Sequence, residues 1–268
     1  MSMGNPPGLG TGEALVELDR LGKNFGARSA LKDLSLRLWP GQVLGFIGAN
    51  GGGKTTALRL IAGLLKADTG CGHVLGHDLL RSRSEIRRHI GYMSQHFSLY
   101  PDLTVLENLV FRAGLYDLPR PHDVAARTVA EFGLEDFSRQ RAGRLSGGWA
   151  RRLQFAAALI HSPRLVLLDE PTAGLDLSQT RETWRRVVAL AAAGAGVIIS
   201  THDLVEAEHC SSVAFFVEGT IRASGSPGDL ISRSAATALG RAAVQARGLE
   251  AVADLLSARR DSVPIKSP

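Results

Sequence analysis

Gly48-Ala49-Asn50-Gly51-Gly52-Gly53-Lys54-Thr55 is the stretch that decides the fold. It fits G-x-x-x-x-G-K-[ST], the loop that cradles phosphates. The apolar run Val43–Ile47 before it reads as a strand, and Ala57 to Leu65 after it follows a helical pattern. Strand, glycine loop and helix form the context in which the motif works. The glycines let backbone N–H groups turn inward and approach phosphate oxygens. The helix N-terminus adds partial positive charge. Lys54 supplies a full cation for the outer phosphates, and Thr55 a hydroxyl for Mg²⁺.

A second element answers the first. Leu165-Val166-Leu167-Leu168-Asp169-Glu170 is an apolar run that ends in two carboxylates. Four apolar residues between turn signals suit a parallel strand buried on both faces. A P-loop needs an acidic Mg²⁺ contact at the end of a nearby buried strand, and Asp169 fits. Glu170, one residue on, is placed to polarise an attacking water. Leu145-Ser146-Gly147-Gly148 precedes a helical stripe of Trp149, Leu153, Ala156 and Ile160. Ser146 suits a helix N-cap. The same serine, with glycine N–H groups and a helix N-terminus, also suits a second anion site. Gln95 and His202 each end a strand candidate, where a polar side chain can face metal, water or phosphate.

Outward from these motifs the chain reads as an α/β core with additions. Residues 1–12 read as a flexible Gly/Pro-rich leader. Residues from Ala14 and the alternating run Leu31 to Leu38, where Leu34, Leu36 and Leu38 interleave with Asp33, Ser35 and Arg37, read as two strands of a β layer ahead of the core. Cys71 to Leu75 is a short strand, Ser84 to His89 a short helix and Ile90 to Ser94 a buried strand. Helical spacing then runs from Val105, breaks at Pro119 and Pro121, and resumes from His122 to Phe132. This gives a helical insertion over about 97–162. Helix 178–193, strand 196–200 and helix 203–209 restore the α/β alternation, and Val213 to Ala223, split at Glu218-Gly219, reads as a hairpin. The basic Ala- and Arg-rich tail, 231–268, carries Val252, Leu255 and Leu256 at amphipathic spacing.

Bulk numbers set limits. The 268 residues carry a net charge of +5 and are 44% hydrophobic and 21% charged, an ordinary globular composition. That mild basic excess does not by itself argue for nucleic acid, and it is compatible with an anionic membrane face. Two distant cysteines, Cys71 and Cys210, form neither a disulfide framework nor a zinc pair, which fits a reducing compartment. The longest apolar run, Val187 to Ile199, has 13 residues and two glycines, short of the about 20 a bilayer span needs. A membrane role is therefore expected to come through a partner.

The order of the pieces resembles the ATP-binding cassette (ABC) ATPase family from about Leu15 to Leu230. It runs from the P-loop through Gln95, Leu-Ser-Gly-Gly at 145–148, Asp169-Glu170-Pro171-Thr172 and Ala173-Gly174-Leu175-Asp176 to Ser200-Thr201-His202-Asp203. The segments Tyr92–Tyr100 and Leu103–Leu109, and Ser-Gly-Gly-Trp at 146–149, look like the exporter subfamily whose ATPase is a separate polypeptide. The resemblance implies a P-loop NTPase core (residues 13–230) with an N-terminal antiparallel β layer and an inserted helical subdomain. It implies ATP and Mg²⁺ as ligands. Phe25 would stack on adenine. Gly48, Asn50, Gly51, Gly53, Lys54, Thr55 and Thr56 would hold the triphosphate and Mg²⁺. Gln95 would meet Mg²⁺ and the attacking water, and its loop would contact a transmembrane permease subunit. Ser146, Gly147 and Gly148 would close over the γ-phosphate of a second ABC subunit. Asp169 would support Mg²⁺, Glu170 would act as general base, His202 would contact the γ-phosphate, and Asp176 would sit at the dimer seam. The implied place is peripheral, on the cytoplasmic face of the membrane, with no nucleic acid partner. Two other classes share the motifs: ATPases of importers, and soluble ABC ATPases acting on ribosomes or nucleic acid. The latter usually carry two cassettes or a long coiled-coil insertion, and this chain has one P-loop. Leu177 after Asp176, Gly52 within the loop and Trp149-Ala150-Arg151 after the signature depart from the commoner residues, and none removes a catalytic group.

Overall fold

The computed structural model describes residues 13–235 together with Leu249, Glu250, Val252 and Ala253. Strands β1 (Val16–Phe25), β2 (Arg28–Leu38) and β3 (Val43–Ile47) lead into helix α1 (Lys54–Ile61). Then come β4 (Thr69–Val74), β5 (His77–Asp78), α2 (Arg83–His89) and β6 (Ile90–Met93). Between β6 and β7 (Leu165–Asp169) lie α3 (Val105–Leu115), α4 (Pro121–Glu131), two single 3₁₀ turns and α5 (Gly147–Leu159). Helix α6 (Leu177–Ala192), β8 (Gly196–Thr201), α7 (Leu204–Ala207), β9 (Ser212–Val217), β10 (Thr220–Gly225) and α8 (Pro227–Ala235) complete the order.

Two sheets form. The first is antiparallel, in the order β2-β1-β4-β5. The second has the order β10-β9-β3-β8-β7-β6, parallel throughout except for the edge strand β10. The parallel strands are buried on both faces, and alternate residues serve two different cores. Leu165 and Leu167 join α1 and the antiparallel sheet on one side; Val166 and Leu168 join the helices α3–α6 on the other. The period-2 geometry of a strand thus turns one apolar run into two interfaces. Because β3, β8 and β7 run parallel, the C-terminal end of β7 emerges at the same edge of the sheet as the end of β3, where the P-loop begins.

The alternation in β2 is as the sequence requires: Leu31, Leu34, Leu36 and Leu38 are buried, while Asp33, Ser35 and Arg37 are exposed. The skip from 31 to 34 falls where Asp33 takes a left-handed backbone, φ 48°, in a strand whose register against β1 is irregular. Helix α3 opens with a capping box in which the Thr104 hydroxyl accepts from the Glu107 N–H and Glu107 accepts from the Thr104 N–H. Such a cap is worth about 1 kcal/mol. Buried Asn108 on the same helix donates to the carbonyls of Tyr100, Leu103 and Thr104 and ties down the incoming loop.

Three local expectations need correction. Pro121 does not break the chain before the second inserted helix; it occupies that helix's first turn, where its missing N–H has no intrahelical partner to lose. The helix expected over 203–209 is one turn, Leu204–Ala207. Ser146 stands at the N-cap of α5, but its side chain makes no capping bond. In the tail, Leu249 and Val252 are buried against the helical core, and Leu255 and Leu256 lie outside the described residues. Among the described residues no helix is long and apolar enough to cross a membrane.

Candidate functional site

The P-loop leaves β3 at Gly48, whose φ of 148° only glycine adopts readily, and a Cβ there would sit 2.3 Å from the Phe216 carbonyl oxygen on β9. Gly53 is constrained in the same way against Ala30 of β2. The loop is further held by Gly219 N–H donating to the Gly52 carbonyl. Strand β9, the neighbour of β3, and strand β2 of the other sheet therefore set the loop's shape, and glycine is what lets it pass between them. Lys54, 5% exposed, folds its ammonium under the loop and donates to the carbonyls of Gly48 and Ala49 at 2.6 and 3.2 Å. Burial pulls its pKa below the usual lysine value, while the carboxylates of Glu170 and Asp169 oppose that shift.

The loop parts two clefts of about 600 and 610 Å³. The second is lined by Phe25, Lys54, Thr55, Thr56, Gln95 and Glu170, among others. One hydrogen-bonded chain crosses its floor. Thr55 Oγ1 donates to Asp169 Oδ1 at 3.1 Å, and Ser200 Oγ donates to the same oxygen at 2.7 Å. The Glu170 N–H donates to Ser200 Oγ at 2.9 Å, and Gln95 Nε2 donates to Glu170 Oε2 at 3.1 Å. His202 Nδ1 stands 3.8 Å from Glu170 Oε1, with a largely exposed side chain. Asp169 and Ser200 meet because they are register partners on β7 and β8.

Glu170 has φ 49°, a left-handed backbone that a side-chain-bearing residue adopts at a cost of about 1–3 kcal/mol. Its N–H is shared by the Ser200 hydroxyl and carbonyl. Behind it, the Glu206 carboxylate accepts from Thr172 and Thr201, both at 2.9 Å, and locks the loop after β7 to the loop after β8. The strain is held by buried bonds on both sides. The Gln95 loop is pinned from another direction: α5 residues Arg151 and Gln154 donate to the carbonyls of Ser94 and His96. Burial lowers the Arg151 pKa from its ordinary value, again opposed by Glu170 and Asp169.

Phe25, at the end of β1, is 51% exposed and lines the same cleft. Ser146, Gly147 and Gly148 do not line it; they form the N-terminus of α5. Asp176 caps α6 by accepting from the Gln179 N–H at 2.9 Å. Three contributors escaped sequence reasoning. Ser200 was visible only as part of a motif, with no role. Arg28, which donates to the Gly51 carbonyl at 3.3 Å, carried no signal. Arg151 looked like a departure after the glycines rather than an anchor.

Asp169 supplies a test for a metal. It is buried, and its Oδ2 has no hydrogen-bond partner although Oδ1 has two. An orphaned buried carboxylate oxygen, on the residue that accepts from the Thr55 hydroxyl and under a cleft that Gln95 also lines, offers oxygen donors of the type that suits Mg²⁺.

The family model for ABC transporters matches residues 31–173, more than half of the chain. The chain belongs to the ABC transporter family. Among curated proteins, this ABC chain is 37% identical over 226 residues to the probable multidrug ABC transporter ATP-binding protein YbhF of Escherichia coli, covering 84% of the chain and 39% of that relative. It thus spans well under half of YbhF's length. It is 35% identical over 223 residues to the Nod factor export ATP-binding protein I of Paraburkholderia xenovorans, covering 82% of the chain and 73% of the relative. Among solved structures it superposes on the dimeric post-hydrolysis state of the ATP-binding cassette MJ0796, bound to ADP and Pi, with a TM-score of 0.74 and 27% identity over 79% of the chain and 98% of that structure. The ABC cassette's P-loop NTPase core, antiparallel β layer and inserted helices are all present in this chain.

Proposed function

We propose that this chain is the ATP-hydrolysing subunit of an exporter, peripheral on the cytoplasmic face of a membrane, and that it drives efflux through a separate transmembrane partner. The observation that carries the reading is the convergence of Lys54, Thr55, Asp169, Gln95 and Glu170 at one cleft floor. Export is supported by the names of the relatives, which are a multidrug transporter's and a Nod factor exporter's ATP-binding proteins.

In this reading Phe25 stacks on adenine, and the N–H groups from Gly48 to Thr56 wrap the phosphates. Thr55, Asp169 and Gln95 would hold Mg²⁺, which when bound neutralises charge on the phosphate oxygens. Lys54 lends a cation to the outer phosphates. Glu170 takes a proton from water as the water oxygen bonds to the γ-phosphorus and the β–γ bridging bond breaks, and that proton then passes to solvent. Gln95, already bonded to Glu170, orients the same water, and His202 reaches the γ-phosphate from the facing side. Catalysis is positional and electrostatic, since the groups are held in place before the charge develops. Ser146, Gly147 and Gly148 complete the site of a second cassette, and Asp176 lies along the seam. ATP then closes the pair because it contacts both halves only in the closed state.

Glu170→Gln keeps the shape and removes the base. Turnover is expected to fall about 10²–10³-fold with nucleotide binding retained, measured by phosphate release and by fluorescent-nucleotide titration. The same variant, tagged and recovered with ATP from detergent-solubilised membranes, should bring down a polytopic membrane protein. Wild-type-like turnover would remove Glu170 from its role. Recovery with ribosomes or nucleic acid in place of a membrane protein would overturn the export reading.

A further inference from the structure

The N-terminus of α5 is not fixed by its own cap, and its first turn carries no acidic residue. It is fixed from the side. Glu182, on α6, has both carboxylate oxygens engaged: Oε2 accepts from Arg152 Nη2 of α5 at 2.5 Å, and Oε1 accepts from Arg186 Nη2, one turn further along α6, at 3.2 Å. Each arginine also reaches the C-terminal end of α4. Arg152 Nη1 donates to the Phe132 carbonyl at 3.3 Å and Arg186 Nη2 to the Glu131 carbonyl at 3.0 Å. The three side chains are only 23–31% exposed, so these charge-assisted bonds are partly shielded from salt.

A second contact lies one turn nearer the helix ends. A Cβ built on Gly148 would meet the side-chain amide atoms of Gln179 at 2.5 Å, so Gln179 packs directly against that glycine's backbone. The Gln179 N–H is itself held by Asp176. Gly148 and Arg152 are four apart on α5, and Gln179 and Glu182 are three apart on α6, so both pairs lie on facing ridges.

We propose that Glu182 and Gln179 are positioning residues that clip the two helix N-termini into one edge, so that Ser146–Gly148 and Asp176 meet a second copy in fixed register. The proposal rests on the reading that those residues face another cassette. Its physical basis is that backbone N–H donors stabilise a phosphate only when aimed at it: Trp149 of the uncapped turn packs on Phe137 at 4.3 Å between ring centroids, and Gln179 and Glu182 set the turn's angle against α6.

The test uses the full chain in the Glu170→Gln background. ATP-dependent dimerisation is followed by analytical ultracentrifugation over a range of protein concentrations, with monomer nucleotide affinity and melting temperature measured beside it. Adding Glu182→Gln should raise the protein concentration at half-dimerisation about tenfold, of the order expected from misplacing a contact group, while monomer nucleotide affinity stays within about twofold. Gln179→Ala, which removes no charge and serves if the first variant folds poorly, should raise it about threefold by the same argument. Unchanged dimerisation in both variants, or a lowered melting temperature with no change in dimerisation, overturns the proposal and leaves a merely structural ion pair. If the parent Glu170→Gln chain binds ATP without dimerising, the functional reading itself fails and the clip goes with it.

Discussion

At the P-loop cleft, Thr55, Asp169, Ser200, Glu170 and Gln95 are linked in one hydrogen-bonded chain that crosses α1, β7, β8 and the loop after β6. At the N-terminus of α5, the Ser146 hydroxyl makes no capping bond and a Cβ on Gly147 would touch nothing within 4 Å. The first region is finished within the chain; the second presents donors outward and is braced from behind, by Gln179 and Glu182 among other contacts. A glycine forced by close packing, like Gly48, serves the fold. A glycine with open space above it, like Gly147, has no such reason; in the proposed pair it faces the second cassette.

The sharpest way to break this contrast is Gly147→Asp. The fold has room for the side chain, and a carboxylate in a helix's first turn is favourable by about 0.3–1 kcal/mol. Melting temperature should hold or rise slightly, while ATP hydrolysis should drop about 10²-fold because a negative charge now faces phosphate. Normal hydrolysis would return Gly147 to the role of plain helix start.

At the finished end the corresponding change is Ser200→Ala. Ser200 is fully buried and bridges the Glu170 N–H and Asp169 Oδ1. Its loss should cost about 1–3 kcal/mol in denaturant unfolding and lower kcat about tenfold through the displaced Glu170, with KM for ATP little changed. An equal loss of nucleotide affinity would mean that Ser200 holds the P-loop and not the base.

What the sequence could reveal divides along the same line. Gly48–Thr55, Asp169 and Glu170 were legible because apolar runs placed them at strand ends and the chemistry of phosphate and metal needs those residue types there. The β2 alternation was legible because a half-buried strand has period 2. Ser200 was not, since its role depends on β7 and β8 being neighbours in register, and nothing local sets the order of strands in a sheet. Arg28 on Gly51 and Arg152 on Glu182 were hidden for the same reason: they join residues 23 and 30 positions apart through the fold. Pro121 is ambiguous in the sequence because a proline breaks a helix interior yet starts a helix well.

The smallest effect concerns stability. His161 follows α5, stacks on Tyr116 at 3.6 Å between ring centroids and faces the Ile90 carbonyl at 3.1 Å. Burial holds its pKa at about 4, below the ordinary 6.5. Above pH 6.5 it is neutral folded or unfolded. As pH falls from 6.5 toward 4 the unfolded chain takes up a proton that the folded one refuses, so stability is lost across that window. The loss between pH 7 and pH 5 should be about 2 kcal/mol. Urea unfolding of His161→Phe, which keeps a ring against Tyr116, should show a correspondingly shallower pH dependence; identical slopes would remove His161 as the cause.

Whether each complete site is shared between two copies is tested most directly by mixing. Lys54→Ala disables a P-loop, and Gly147→Asp disables an α5 N-terminus, so each protein alone should hydrolyse almost no ATP. In a head-to-tail pair of the two, one site carries both lesions and the other carries none. An equal mixture should therefore recover hydrolysis up to about a quarter of wild type, because half of the dimers are mixed and each has one whole site. Activity that stays at the sum of the two separate variants would place both anion-binding elements in the service of a single chain and rule out the shared site.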